Sequence, residues 1–248
     1  MTPAVRDTLA RIKAGKAWTG PALSLTHCQI RGQQITFCTA MEKDPIQRKN
    51  RAGAFYETSD LYLLDPYFPK GGTFVDIGAN IGNHSLYFAL VLGAALVIPV
   101  EPNPTCWQLL IENVLVNSLW DRFDLTRLGV GAGEARAGGY GMERRTQNIG
   151  AAAMVPGEGQ LEVWRGDDLL EGITPDFIKI DVEGAELAAL RGLSGVIARH
   201  RPNLFVEVAE DNDAGFHAWV AQADYRVELT RTRYLKASNY LVVPASAS

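Results

Sequence analysis

Apolar and polar positions along the chain fall into two regimes. From residue 71 onward, short and nearly continuous apolar runs alternate with segments of helical period. Residues 73–77, 95–100, 123–130, 177–182 and 204–208 read as strands, apolar enough to be buried on both faces. Helices are predicted over 83–92, where Gly93 ends the run, over 104–117 and over 214–223. Another follows residue 182 and carries Leu187, Leu190 and Leu193 on one face. Residues 225–230 and 240–243 suggest a closing antiparallel hairpin. This alternation predicts an α/β fold: a doubly wound, mostly parallel sheet made mixed by an antiparallel C-terminal strand.

The first seventy residues follow a different pattern. Residues 4–17 look like a short amphipathic helix with Val5, Leu9 and Ile12 in one stripe, and 27–39 like a hairpin turning at Arg31-Gly32. MEKDPIQRKNRAG reads as a charged connector, and 56–67 as a helix stopped by Asp65-Pro66. Two parts are therefore expected, an N-terminal extension over 1–70 and a domain over 71–248. Inside that domain the alternation lapses between 131 and 160, where eight glycines gather. A structureless loop of that length is unusual in a compact domain, so a hairpin insertion near the active-site edge is expected. The ending PASAS reads as a frayed tail.

Composition changes this picture in three respects. With 248 residues, 47% hydrophobic and 21% charged, the chain can bury a core without disulfides or a structural metal. A net charge of −4 offers no general attraction to phosphate backbones or anionic lipids, so neither a nucleic-acid nor a membrane partner is expected. Cys28, Cys38 and Cys106 form no CxxC or Cys/His cluster, which argues against a disulfide framework and a zinc site and fits a reducing cytoplasm. Residues 77–100 contain no Asp, Glu, Lys or Arg. They open on the polar IGANIGNHS, however, so a loop, a buried helix and a buried strand explain them better than a membrane span.

The candidate chemistry starts at the first strand-to-helix turn, FVDIGANIGNHS, where open α/β sheets bind ligands. Gly78 and Gly82 permit a tight turn, and the helix opening at Asn83 directs free amides at a ligand. The dinucleotide pattern GxGxxG is absent. Asp76 at the strand end would repel a pyrophosphate but can serve the cationic groups of S-adenosylmethionine, directly or through water; merely capping the turn is its plainer role. Asn80 stands where such loops carry a middle glycine, and Asn tolerates positive φ better than most residues. Glu101 lies 25 positions after Asp76, at the end of the second strand, where doubly wound folds place the acid that holds ribose hydroxyls. Pro102 and Asn103 follow it near the expected adenosine, although Asn103 with Pro104 also reads as an N-cap followed by proline at N1.

A second acidic cluster lies in DFIKIDVEGAELAALRGL. Lys179 in a central strand needs a partner, and Asp181 is its nearest candidate. Glu186, in the first helical turn, fits a helix-dipole role. Asp181 and Glu183 open onto the cofactor edge and are the expected acceptor-handling residues. Together FVDIGANIGNHSLYFA, VEPNP and DFIKIDVEGAELAALRGL resemble the FkbM family of S-adenosylmethionine-dependent methyltransferases, with FYE at 55–57 and NIG at 148–150 agreeing more loosely. The resemblance implies a class I methyltransferase (Rossmann-like) fold, S-adenosylmethionine as cofactor, and O-methylation of a hydroxyl on a sugar, small molecule or natural-product scaffold. By position, Asp76, Gly78, Gly82 and Glu101 inherit cofactor roles.

The expected reaction is in-line methyl transfer to oxygen, with Asp181 or Glu183 as base or orienting group. His84, in the first turn after the loop, is a weaker catalytic candidate with capping as its plainer role. No metal ligand signature is present. A metal-assisted version would draw on Asp181 with Glu207, Asp211, Asn212 or Asp213. A binding module that retains the cofactor without turnover is the rival from another class. Arg144 and Arg145 in the glycine-rich stretch can meet an anionic acceptor, though a solvated pair is the plainer reading.

Overall fold

The computed structural model describes residues 1–16, 22–143, 145, 147–157, 159–234 and 236–245. Ala17, Arg144 and the end of the tail, Ser246 to Ser248, lie outside the described residues.

Thr2 caps the first helix, α1 (Pro3–Lys13), whose Val5 and Leu9 are buried. A hairpin follows, β1 (Ser24–Ile30) and β2 (Gln33–Thr39). Its register sets Leu25 opposite Cys38 and Cys28 opposite Ile35, so the two cysteines do not face each other. The charged connector contains a helix, α2 (Pro45–Arg51). Asp44 is its N-cap, its Oδ1 accepting from the Gln47 amide at 3.0 Å, and Pro45 presets the first turn. Residues 56–67 hold a shorter helix than expected, α3 (Thr58–Leu64), which tightens into a 3-10 turn over Asp65–Tyr67.

The main sheet contains β3 (Thr73–Ile77), β4 (Leu96–Val100), β9 (Phe177–Ile180), β10 (Asn203–Ala209), β11 (Tyr225–Tyr234) and β12 (Ala237–Pro244). Its order is β11-β12-β10-β9-β3-β4. The four strands from β10 to β4 are parallel, and β12 enters antiparallel to both β10 and β11. Helices α4 (Asn83–Leu90), α5 (Pro104–Val116), α7 (Glu186–Gly192), α8 (Ser194–His200) and α9 (Asp213–Gln222) cover the sheet. No helix among the described residues is long and apolar enough to cross a membrane.

The predicted strand over 123–130 is not one. Asp124 Oδ1 accepts from the Thr126 amide at 3.0 Å and winds Leu125–Arg127 into a 3-10 turn. Only single bridges, Phe123 to Val97 and Leu128 to Glu101, remain along the edge of β4. The glycine-rich stretch builds a second sheet of order β5-β8-β6-β7 from β5 (Val130–Gly133), β6 (Ala137–Met142), β7 (Met154–Pro156) and β8 (Leu161–Arg165). A short helix, α6 (Gly166–Leu169), leads from it to β9.

Strand periodicity sorts the core and sets up the site. Val75, Ile77, Ile178, Ile180, Leu204 and Val206 face the α7 side with Ala189 and Leu190. Phe74, Phe177 and Phe205 face the other side with Phe88 of α4, and the Phe74 and Phe88 rings stack 3.7 Å apart. Two residues further along each strand, this second face carries Asp76, Lys179 and Glu207 in place of phenylalanine. Asp76 and Lys179 are direct register partners. A polar row therefore crosses the carboxyl ends of the parallel strands.

Candidate active site

The loop after β3 turns on Gly78, at φ 80°. A Cβ there would lie 1.7 Å from the Asp181 carbonyl oxygen, so the backbone of the two strand ends touches only because the residue is glycine. The amides of Gly78 and Ala79 donate to the Val100 carbonyl at 2.9 and 3.1 Å. Asn80 adopts φ 51° and its amide donates to Glu101 Oε2 at 2.8 Å. The Asn103 amide donates to the other oxygen, Oε1, also at 2.8 Å. Burial pushes the Glu101 carboxyl up to about 7 against the pull of these two amides.

Asp76 lies fully buried beneath the loop. Ser85 Oγ donates to its Oδ2 at 2.7 Å, and Lys179 Nζ stands 3.4 Å from its Oδ1. Lys179 also donates to the Gly78 carbonyl at 2.8 Å and lies 3.1 Å from Asp181 Oδ2. Burial pulls its ammonium down, but the Asp181 and Asp76 charges outweigh that and hold it above its ordinary value. Lys179 thus ties the glycine-rich loop to the end of β9.

Two cavities meet at this point. The larger, about 510 Å³, is bordered by Gly78, Asn80, Glu101 and Pro102 and closed by Gly131 to Gly133 and Met154 of the second sheet. The smaller, about 270 Å³, is bordered by Glu57, His84, Lys179 and Glu207. Asp181, Glu183 and Asn80 border both. Of the remaining expected residues, Asn83 borders the smaller cavity, while Asp76, Gly82 and Asn103 border neither. Asn83 Oδ1 accepts from the Tyr56 amide at 2.9 Å, and Asn103 caps α5 through the Thr105 amide at 3.0 Å. Gly82 is the left-handed residue that opens α4.

The smaller cavity is strongly acidic. Glu57 and Glu183 both adopt left-handed φ, at 57° and 49°, conformations an L side chain rarely holds. The surrounding protein and the Asp181 charge push Glu183 up to about 7 even though its rim position leaves it open to solvent. Burial, with the Asp181 and Glu57 charges, raises Glu207 further. His84 is pulled down to about 3 by burial and by Lys179, so its ring is neutral and a weak base. Glu186 turns away to other partners, accepting from the Gly184 amide at 2.6 Å and Asn212 Nδ2 at 2.7 Å.

A model of the methyltransferase FkbM domain matches residues 76–227. The chain belongs to this methyltransferase family. Methyltransferase sdnD of Sordaria araneosa is 25% identical over 203 residues, spanning 66% of this chain and 77% of its own length. Hexuronic acid methyltransferase AglP of Haloferax volcanii is 30% identical over 128 residues, spanning 49% of this chain and half of AglP. The crystal structure of methyltransferase FkbM from Methylobacillus flagellatus shares the fold at a TM-score of 0.50 and 23% identity, over 70% of this chain and 44% of that one. A tRNA m1G37 methyltransferase of M. jannaschii does so at 0.52 and 11% identity, over 91% and 56%. The fold is that of the class I methyltransferases.

Three contributors to the site, two of them ahead of the matched FkbM domain, were weakly marked in sequence. Glu57 and Gly150 come from the loosely matching FYE and NIG segments, and both border the smaller cavity. Asp44 reaches it indirectly. Its Oδ2 accepts from the Ile149 amide at 3.2 Å and helps hold the 148–150 strap over the loop. The contact is close enough that a Cβ on Gly150 would lie 2.2 Å from Asn80 Nδ2. The Asp-Pro step at 44–45 was the available signal, and it marks a helix start rather than a strap.

Proposed function

We propose that this chain transfers the methyl group of S-adenosylmethionine to a hydroxyl oxygen of a sugar or other small polyhydroxylated acceptor. The observation that carries the reading is the junction of the two cavities at Asp181 and Glu183, with Glu101 inside the larger and a cluster of carboxylates around the smaller. The larger cavity has the volume of a small-molecule site. Its donor set fits the cofactor: Glu101 is a buried carboxylate positioned for ribose hydroxyls, and the loop rests on buried Asp76, unfavourable to a pyrophosphate. The similarity to AglP, a hexuronic acid methyltransferase, agrees with a sugar-like acceptor.

S-adenosylmethionine supplies an electrophilic methyl group on a sulfonium, which becomes a neutral thioether once the acceptor oxygen has taken the methyl. The chain's own residues position that oxygen and receive its proton. Glu183, with a carboxyl near 7, is suited to accept it, and Asp181, its carboxylate within 4.8 Å, orients the hydroxyl. Lys179, 3.1 Å away, holds the Asp181 carboxylate in place. Calorimetry should show binding of S-adenosylmethionine and S-adenosylhomocysteine and none of NADH. Binding of NADH without a signal from S-adenosylhomocysteine would remove the cofactor assignment.

Glu101 provides a sharper test through pH. Hydroxyl donors need its ionised form, and in the free protein that form is lost as pH falls through about 7. Affinity for S-adenosylhomocysteine should therefore weaken below pH 7, by up to about tenfold per unit. Glu101→Gln should cost roughly ten- to a hundredfold in affinity at pH 8, the loss of hydrogen bonds to a charged acceptor. Its profile should lack the wild-type step. A step that persists in Glu101→Gln would assign the titration to another group.

A further inference from the structure

Parallel pairing of β9 and β10 sets Val206 beside Ile180, which brings Glu207 beside Asp181 just past the strand end. Glu183 turns back over them through its left-handed backbone. The three side chains each present a carboxylate oxygen, all within 4.8 Å of one another. Lys179 is shared between Asp76 and Asp181, Lys236 at the cavity edge is exposed, and Arg145, whose charge reaches Glu183, is exposed and paired with Glu143. Among the described residues, Glu183 and Glu207 thus have no buried cation of their own. His84 gives an independent sign of a missing occupant. It is 7% exposed and lines the same cavity, its Nε2 makes no hydrogen bond, and Glu57 Oε2 stands 4.0 Å from that nitrogen. An unsatisfied buried nitrogen beside converging carboxylates calls for a group within the cavity that binds anions and carries water.

We propose that Asp181, Glu183 and Glu207 bind a hard divalent cation. Three oxygens spaced evenly around a Ca²⁺ ion at the usual 2.3–2.6 Å lie about 4.0–4.5 Å apart, so carboxylates within 4.8 Å of one another need at most small side-chain rotations to hold it. Mg²⁺, at about 2.0–2.1 Å, holds its ligands closer together than Ca²⁺ does. The ion completes its shell with water, which can donate to His84 Nε2. Three protein ligands also leave positions for neighbouring hydroxyls of an acceptor. That last role rests on the reading of this cavity as the acceptor side; the binding of the ion does not.

The test uses the full chain stripped of metal, with Mn²⁺ as the probe followed by its paramagnetic resonance signal and Ca²⁺ by calorimetry. One site per chain is expected, with a dissociation constant between about 10⁻⁵ and 10⁻³ M. Glu207→Gln and Glu183→Gln should each weaken it by roughly tenfold or more, and Asp211→Asn, an exposed neighbour, should leave it unchanged. Melting curves and S-adenosylhomocysteine binding on the same samples report folding and cofactor binding. Absent Mn²⁺ binding, or equal binding in the folded Gln variants, would overturn the cation site while leaving the cofactor reading standing. Mn²⁺ binding with no S-adenosylhomocysteine binding would do the reverse.

Discussion

Replacing Lys179 with methionine should destabilise the protein by about 3–5 kcal/mol, the cost of breaking a buried ion pair from one side. For a chain of this size that is a fall in melting temperature of roughly 6–20 °C. Asp76 is fully buried, and its Oδ1 makes no hydrogen bond, so the lysine charge is what offsets it. Methionine restores much of the volume and none of the charge, leaving the buried Asp76 carboxylate without its counter-charge. The double variant with Asp76→Asn should recover part of the loss, because the stranded charge is then gone. A single Lys179→Met variant that melts within about 2 °C of wild type would show that Asp76 does not depend on this lysine.

That dependence explains how far the sequence could be read. Strand–helix alternation and the glycine-rich turn after FVD are local, so the sheet and most of its buried strands were legible. The partner of Asp76 was not. Lys179 lies more than a hundred residues away, and only parallel pairing of β3 with β9 brings the two into register. Asp181 looked like the lysine's partner because it is near in sequence, and it is one of two. Glu207 likewise joins Asp181 through strand pairing, while Asp211, Asn212 and Asp213, equally acidic or polar in sequence, do not belong to that cluster. Residues 123–130 misled because their apolar content suits a strand, whereas Asp124 captures the Thr126 amide and winds the chain instead. The helix at 45–51 was hidden by its charges, although Asp44-Pro45 announces its start.

Asp181→Asn and Glu183→Gln should separate support of the fold from handling of the acceptor. Neither carboxylate bonds to the loop amides or to Glu101, so affinity for S-adenosylhomocysteine should stay within about threefold of wild type. In Asp181→Asn the lysine retains Asp76 and the Gly78 carbonyl, and the melting temperature should fall far less than in Lys179→Met. Turnover should behave differently. With an acceptor found by screening hydroxylated sugars for transfer of a labelled methyl group, single-turnover rates should drop by roughly two to four orders of magnitude in the variant that lacks the base. Glu183 is the stronger candidate for that loss. Its carboxyl lies near 7, where a group both accepts and releases a proton readily, whereas Asp181 is held against the Lys179 ammonium. A rate loss in Glu183→Gln larger than those in Asp181→Asn and Glu207→Gln would assign the proton to Glu183 and orientation to Asp181, while an equal loss in Glu207→Gln would trace it to the cation site. If Asp181→Asn lowers only the melting temperature, its carboxylate serves the lysine alone. Full turnover in both folded variants would take the proton transfer away from this junction.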